Sequence, residues 1–269
     1  MAQTLTRELP QFAASHWVER IGSTNADLLA LARETGSQAG WPRLLGAHHQ
    51  TQGKGRLGRP WQDIPGKTLM FSCGFTLPIH GKSLSALQGL GPALGSRSVL
   101  ALQPLLTQPQ RMRLKWPNDI MIDDGKSAGV LIELANSTDC TYIIVGMGLN
   151  LYGHDALQIE LGREIGDIGP LLLPGVSASQ LASTLANTWH ETLNAIYQHG
   201  FEPFRAAYSS VDYLANRDVN IIDQGRVVAS GMASGLGPDG SLQLSTPHGT
   251  QHFHVGDVSA RLNTPVSHS

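Results

Sequence analysis

The densest chemistry in this 269-residue chain lies in a short basic loop. Gly53-Lys54-Gly55-Arg56-Leu57-Gly58-Arg59-Pro60-Trp61 intersperses glycines with three cations and ends on an indole. Glycines let backbone N–H groups approach an anion while the cations neutralise it. Gly53, Gly55 and Gly58 formally satisfy a dinucleotide fingerprint, but that fingerprint needs a helix directly after the loop. Pro60, Trp61, Pro65 and Gly66 follow instead, and the Gly-Lys-Ser/Thr ending of a Walker loop is missing. Both standard nucleotide folds are therefore excluded. The same residues would also suit a grip on single-stranded RNA, where cations and an aromatic side chain work together.

Other strings carry weaker signals. In Lys115-Trp116-Pro117-Asn118-Asp119, Pro117 ends a strand and puts Asn118 and Asp119 at its carboxyl end, where ligands gather in open α/β sheets. The alternative is a plain Asn-Asp turn bonding its own backbone. Lys126 precedes the apolar run Ala128 to Ile132 and matters only if it points at the same pocket as Lys115 and Arg56. Gly146-Met147-Gly148-Leu149-Asn150 closes another apolar strand, either as a glycine turn or as a platform for Asn150. An asparagine both donates and accepts, as recognition of a nucleobase or ribose requires. Ser23-Thr24-Asn25 reads first as a helix cap, with Thr24 and Asp27 at capping-box spacing. Gln50 reads first as a surface amide. Together these neutral groups could hold an uncharged ureido or amide head in an otherwise apolar pocket. The eleven histidines include no set at metal-ligand spacing, so zinc is not expected. Neither a Gly-x-Ser-x-Gly elbow nor a His-Glu-x-x-His string occurs.

The elements that must position these residues follow from periodicity. Helices are expected from Ser23 through Arg33, from about Ser83 to Leu102, from Ala178 to Gln198 and from Phe204 to Tyr208. Strands are expected at Leu44 to His49, Thr68 to Leu77, Arg113 to Trp116, Ile120 to Ile122, Ala128 to Leu134 and Tyr142 to Val145. From Asp218 to Leu262, short alternating strands separated by Asp223-Gln224-Gly225, Pro238-Asp239-Gly240 and His248-Gly249 predict a small β-barrel appended to an α/β body. The expected division is 1–215 and 216–269.

Composition sets the bounds. Hydrophobic residues make up 41% and charged residues 15%, with 30 glycines, so a packed globular protein rich in tight turns is expected. A formal net charge of -2 gives no general attraction to nucleic acid. No run approaches the ~18 apolar residues of a membrane span, and the first residues do not read as a signal peptide. A cytoplasmic location is the expectation. Cys73 and Cys140 lie in apolar runs and read as reduced thiols.

Taken in order, Ser23-Thr24-Asn25, the Gln50 to Trp61 segment, Lys115-Trp116-Pro117-Asn118-Asp119, Lys126-Ser127-Ala128-Gly129-Val130-Leu131 and Gly146 to Asn150 resemble the biotin protein ligases. The resemblance runs from about Trp17 to Leu262. It implies an α/β (α+β) catalytic domain like that of class II aminoacyl-tRNA synthetases, followed by a C-terminal SH3-like barrel. It also implies two half-reactions: biotin and Mg·ATP form biotinyl-5′-AMP, then biotin passes to a lysine of an acceptor. The family pattern assigns Ser23, Thr24, Asn25, Gln50, Lys54, Gly55, Arg56 and Lys126 to biotin, and Arg59, Trp61, Asn118, Asp119 and Asn150 to the nucleotide. Arg56, Lys126 and Lys115 would be catalytic, and Asp119 would face Mg²⁺. The biotin carboxyl carrier protein of acetyl-CoA carboxylase is the expected acceptor, and the enzyme would be a monomer or a homodimer. About twenty residues precede Ser23, too few for the helix-turn-helix domain of the bifunctional members, so a ligase that binds no DNA is expected. Lys54 stands where the family usually carries arginine, and Ser127 where an aliphatic residue is commoner. A lipoate or octanoate ligase or transferase of the same fold is the nearest rival, and a nucleic-acid-binding module a more distant one.

Overall fold

A computed structural model describes residues 1–78, 87–137, 140–255 and 258–263. Seven strands form one sheet: β1 (Ala14–Ile21), β2 (Arg43–Gln50), β3 (Thr68–Pro78), β4 (Met112–Lys115), β5 (Asp119–Ile122), β6 (Gly125–Asn136) and β7 (Cys140–Asn150). Their order is β1-β2-β3-β7-β6-β5-β4, with β1 and β2 parallel and every other neighbouring pair antiparallel. The parallel pair needs a crossover, and α2 (Thr24–Thr35) supplies it.

Side chains alternate across the long strands. Ile143 and Val145 join the main core, whereas Ile144 joins a smaller cluster with Leu28, Leu29 and Ala32 of α2. The main core takes in α3 (Leu90–Leu102) and α5 (Ala178–His199). There the Trp189 ring stacks on Phe71 at 5.1 Å between centroids, and its indole N–H donates to Ser98 Oγ at 2.8 Å.

Three elements went unread in the sequence: α1 (Ala2–Glu8), β1 and α4 (Asp155–Leu161). The helix expected from Ser83 begins at Leu90, and residues 83–86 lie outside those described. Gly89 precedes it with φ +75°, and a Cβ there would sit 2.6 Å from the Phe201 ring. Gly146 to Asn150 is strand throughout, not a turn. The cap of α2 is Ser23, whose Oγ accepts from Ala26 N at 3.4 Å. Thr24 makes no cap, because its hydroxyl is used elsewhere.

After α6 (Arg205–Val211), strands β8 (Asp218–Asp223), β9 (Arg226–Leu236), β10 (Leu242–Thr246), β11 (Gly249–Phe253) and β12 (Val258–Leu262) form an antiparallel sheet in the order β11-β10-β9-β8-β12. Val219, Ile221, Leu242 and Leu244 belong to the same apolar cluster as the body. Trp116 is buried where the two sheets meet and donates from its indole to Gly240 O at 3.2 Å. A Cβ on Gly240 would lie 2.5 Å from Gly89 Cα, so the close approach there requires glycine.

Candidate functional site

A cavity of about 580 Å³ opens on the sheet face that carries α2. It is lined by Ser23, Thr24, Asn25, Gln50, Lys54, Gly55, Arg56, Arg59, Trp61, Lys115, Asn118, Asp119 and Lys126. These are all of the residues singled out in the sequence except Asn150, and they come from segments more than a hundred residues apart.

One end of the cavity is neutral. The N-terminus of α2 is tied to β2 by Gln50, whose Oε1 accepts from Thr24 N at 2.7 Å. Thr24 Oγ1 lies 2.6 Å from Ser72 Oγ, and Ser72 donates to Asn25 Oδ1 at 2.5 Å. Asn25 in turn donates to Glu133 Oε2 at 2.7 Å. Thr24, Asn25 and Ser72 are buried, so the two middle bonds of this set are made away from water, while the outer bonds to Gln50 and Glu133 are half-buried. A Cβ on Gly146 would sit 2.1 Å from Asn25 Oδ1, which explains a glycine in the middle of β7.

The other end is cationic. Seven lysine and arginine side chains line the cavity: Lys54, Arg56, Arg59, Lys115, Lys126, Arg163 and Arg261. Among the described lining residues Asp119 is the one carboxylate. Lys126 Nζ pairs with Asp119 Oδ1 at 2.5 Å and lies 5.6 Å from the Trp61 ring centroid. Arg56 Nη1 donates to Asn118 Oδ1 at 3.4 Å. Asn118 is held by β6, donating from Nδ2 to Val130 O at 2.7 Å and accepting Val130 N at 3.0 Å. Burial pulls the Lys115 ammonium below the ordinary lysine value; Asp119 opposes this, while Lys126 and Arg261 add to it.

The basic loop is a small hairpin. Trp61 N bonds Gly53 O at 2.9 Å and Gly55 N bonds Arg59 O at 2.8 Å. Its tip turns through Leu57 at φ +58° and Gly58 at φ +69°. The Trp61 indole lies over Gly148 of β7, where a Cβ would come within 2.4 Å of the ring. Both glycines of Gly146-Met147-Gly148 thus clear space for side chains of the site.

Asn150 points elsewhere: its Nδ2 donates to Lys126 O at 3.2 Å. The Lys126 backbone is also gripped by residues 164–166, accepting from Gly166 N at 3.1 Å and donating to Glu164 O at 3.2 Å. Buried His154 ties this segment down. Its Nδ1 meets Asp167 Oδ1 at 2.5 Å and its Nε2 lies 2.9 Å from Thr68 Oγ1. Ser72, Glu133, Arg163, Arg261 and His154 were missed in the sequence. Ser72 and Glu133 left a faint signal as lone polar residues inside apolar strands. Arg163 and Arg261 left none, since each reaches the cavity from an irregular segment or from the second sheet.

Comparison with known proteins agrees with this geometry. Residues 17–150 match the biotin/lipoate A/B protein ligase family, and residues 215–261 match the biotin protein ligase C terminal domain. A biotin--[acetyl-CoA-carboxylase] ligase of Paracoccus denitrificans is 31% identical over 250 residues, covering 89% of this chain and 97% of that one. The chain belongs to the biotin protein ligase family. Another member, the bifunctional ligase/repressor of Escherichia coli (strain K12), is 27% identical over 220 residues; that match covers 80% of this chain and 65% of the relative. Among solved members, the biotin protein ligase from Aquifex aeolicus in complex with biotin and ATP superposes with a TM-score of 0.73 at 25% identity, covering 93% of this chain and all of that one. The mixed α/β body followed by an antiparallel sheet is the family's architecture. No helix among the described residues is long and apolar enough to cross a membrane.

Proposed function

We propose that this cavity activates biotin with ATP and then passes it to a protein lysine. The observation that carries the reading is the pairing, in one pocket, of a neutral, largely buried hydrogen-bonding end with a cluster of seven cations. Biotin has the matching polarity, an uncharged cyclic urea at one end and a carboxylate at the other. Ser23, Thr24 and Gln50 would receive the urea, with Asn25 behind them. The valeryl carboxylate would then lie toward Lys126, Arg56, Lys54 and the Gly55 backbone.

In the first half-reaction a carboxylate oxygen attacks the α-phosphorus of ATP and pyrophosphate leaves. Two anions must be held in contact, so positioning and charge compensation would do most of the work. Arg56, Lys115 and Lys126 supply that compensation. Trp61 would offer a face for adenine, and Arg59 and Asn118, which line the same cavity, would contact the nucleotide. Asn150 acts one step back, by fixing the Lys126 backbone. In the second half-reaction an acceptor amine attacks the mixed anhydride carbonyl, AMP leaves, and the amine proton is lost to solvent. A biotin carboxyl carrier protein is the acceptor that fits this chemistry.

Magnesium would enter with the substrate as Mg·ATP. It commonly keeps its waters and needs only one or two carboxylates besides phosphate oxygens. Asp119 fits that modest demand, though it would have to share its carboxylate with Lys126. Among the described residues no three His, Cys, Asp or Glu side chains gather as a dedicated metal cage.

The test is calorimetric titration with biotin, followed by ATP-dependent labelling of a biotin carboxyl carrier domain. Biotin binding and labelling are expected. Binding of lipoate in place of biotin would overturn the reading.

A further inference from the structure

The polar side chains behind the neutral end form a chain whose protons can be assigned. Glu133, Asn25, Ser72, Thr24 and Gln50 follow one another at 2.7, 2.5, 2.6 and 3.1 Å. An ionised carboxylate only accepts. Glu133 therefore requires the NH₂ of Asn25, which turns the Asn25 oxygen to Ser72. Ser72 has one proton, and it goes to Asn25. The short contact with Thr24 then uses the single hydroxyl proton of Thr24. None is left for the fourth link. The Gln50 amide is oriented too, because its oxygen must receive the Thr24 backbone N–H while its nitrogen faces Met70 Sδ at 3.4 Å. Thr24 Oγ1 and Gln50 Oε1 thus stand side by side as acceptors with no proton between them.

We propose that Glu133, acting through Asn25 and Ser72, is a positioning residue that keeps Thr24 and Gln50 as an acceptor pair and so selects a ligand head that brings its own N–H donors. The cyclic urea of biotin is such a head; a dithiolane is not. Four elements, α2, β2, β3 and β6, contribute one link or more each, and Gly146 keeps the space in which the Asn25 amide lies. Because the middle links are buried, a wrongly directed proton cannot be corrected by water. This proposal rests on the biotin reading above.

Three full-length proteins test it: the wild type, Glu133→Gln, and the double variant Asn25→Asp/Glu133→Gln. Glutamine can donate or accept, so Glu133→Gln allows the Asn25 amide to turn over. Ser72 is then released to donate to Thr24 and Thr24 to Gln50, and the acceptor pair is filled from within. The double variant moves the carboxylate one link along the chain, where it accepts from both the glutamine and Ser72, restoring the original direction. We expect Glu133→Gln to raise the KM for biotin about tenfold, the effect of one internal bond competing with the ligand. The kcat at saturating biotin and the KM for ATP should change less than about twofold, the pattern of a lost ground-state contact. The double variant should return the biotin KM to within about threefold of the wild type. A network that merely held α2 in place would change melting temperature without that split or that rescue.

A folded Glu133→Gln protein with the wild-type biotin KM overturns the proposal, as does a folded double variant no better than the single one. Should Glu133→Gln fail to fold, Ser72→Ala replaces it: the Thr24 proton then falls to Gln50, and the same rise in biotin KM is expected. An unchanged biotin KM in that variant counts against the proposal equally. Calorimetry on the wild type separates the two levels. Absence of biotin binding there removes the functional reading itself, whereas wild-type binding with unaltered variants removes only the role of Glu133.

Discussion

The two ends of the cavity are built on opposite principles. At the neutral end Thr24, Asn25, Ser72 and Gln50 already hold one another through bonds of 2.5 to 2.7 Å, three of the four side chains being buried. At the cationic end seven positive side chains face one carboxylate, and burial works against the charge of Lys115. The first end is complete except for a donor. The second is an arrangement that an anion would stabilise, and it is strained electrostatically without one. Recognition of a neutral head depends on direction, so its groups are locked in advance. Handling of a triphosphate depends on summed charge, so its groups tolerate longer and looser contacts, such as the 3.4 Å bond of Arg56 to Asn118.

Substitutions at each end should separate these principles. The largest effect is expected from Arg56→Ala, which should slow biotin-dependent pyrophosphate release by ~10²-fold or more, as loss of a preorganised charge contact does. Unchanged release would remove Arg56 from the chemistry. Next, Trp61→Ala should raise the KM for ATP by roughly 10- to 100-fold, given about 1–3 kcal/mol for stacking of a base on an aromatic ring. Biotin affinity measured without ATP should move far less, and equal losses for both ligands would dissolve the distinction between the ends.

Lys115→Met probes the strain directly. Because burial lowers the Lys115 pKa in the folded state, the unfolded chain holds that proton to higher pH. Below the lowered pKa both states are protonated and the enclosed charge destabilises the fold. As pH rises toward the unfolded lysine value, the folded state sheds the proton first and the penalty disappears. Lys115→Met should therefore melt above the wild type at neutral pH, by about 2 °C for ~1 kcal/mol in a chain of this size. That gap should narrow on raising the pH toward ~10, while adenylate formation falls at least ~10-fold. A melting temperature below the wild type at neutral pH would show that the charged end is satisfied without ligand. The smallest effect is expected from Ser23→Ala. Loss of the cap of α2 should lower stability by about 1 kcal/mol, read as a melting point about 2 °C lower, with only a few-fold change in biotin affinity.

Much of the site was legible because it is written in contiguous strings. Gly53 to Trp61 and Lys115 to Asp119 each place several functional groups on one turn of chain, the first in a glycine-rich hairpin and the second at the Pro117 turn that joins β4 to β5. The strands were legible as segments, but not their order in the sheet. Continuous apolar runs mark Ala128 to Leu134 and Tyr142 to Val145 as central strands, but nothing local tells Gly146 and Gly148 apart from a turn. They are strand glycines because Asn25 and Trp61 need the space above them, and those side chains arrive from elsewhere in the chain. The reading of Thr24 as a capping residue failed for a related reason. A threonine before a helix looks like a cap until Ser72, forty-eight residues away, takes its hydroxyl.

The sequence by itself determined the family, the basic glycine loop, the neutral polar trio at the head of α2 and the change to an all-β segment near residue 216. These follow from residue type and short spacing, which act over a few bonds. Only the tertiary structure decided that Asn150 bonds the Lys126 backbone, that Arg163 and Arg261 join the cations, and that Glu133 stands at the end of a row of polar contacts leading through Asn25 and Ser72 to Thr24. Each of these is a contact between segments distant in sequence. Sheet order and domain packing, which sum many weak interactions over the whole chain, are what bring such segments within a hydrogen bond of one another.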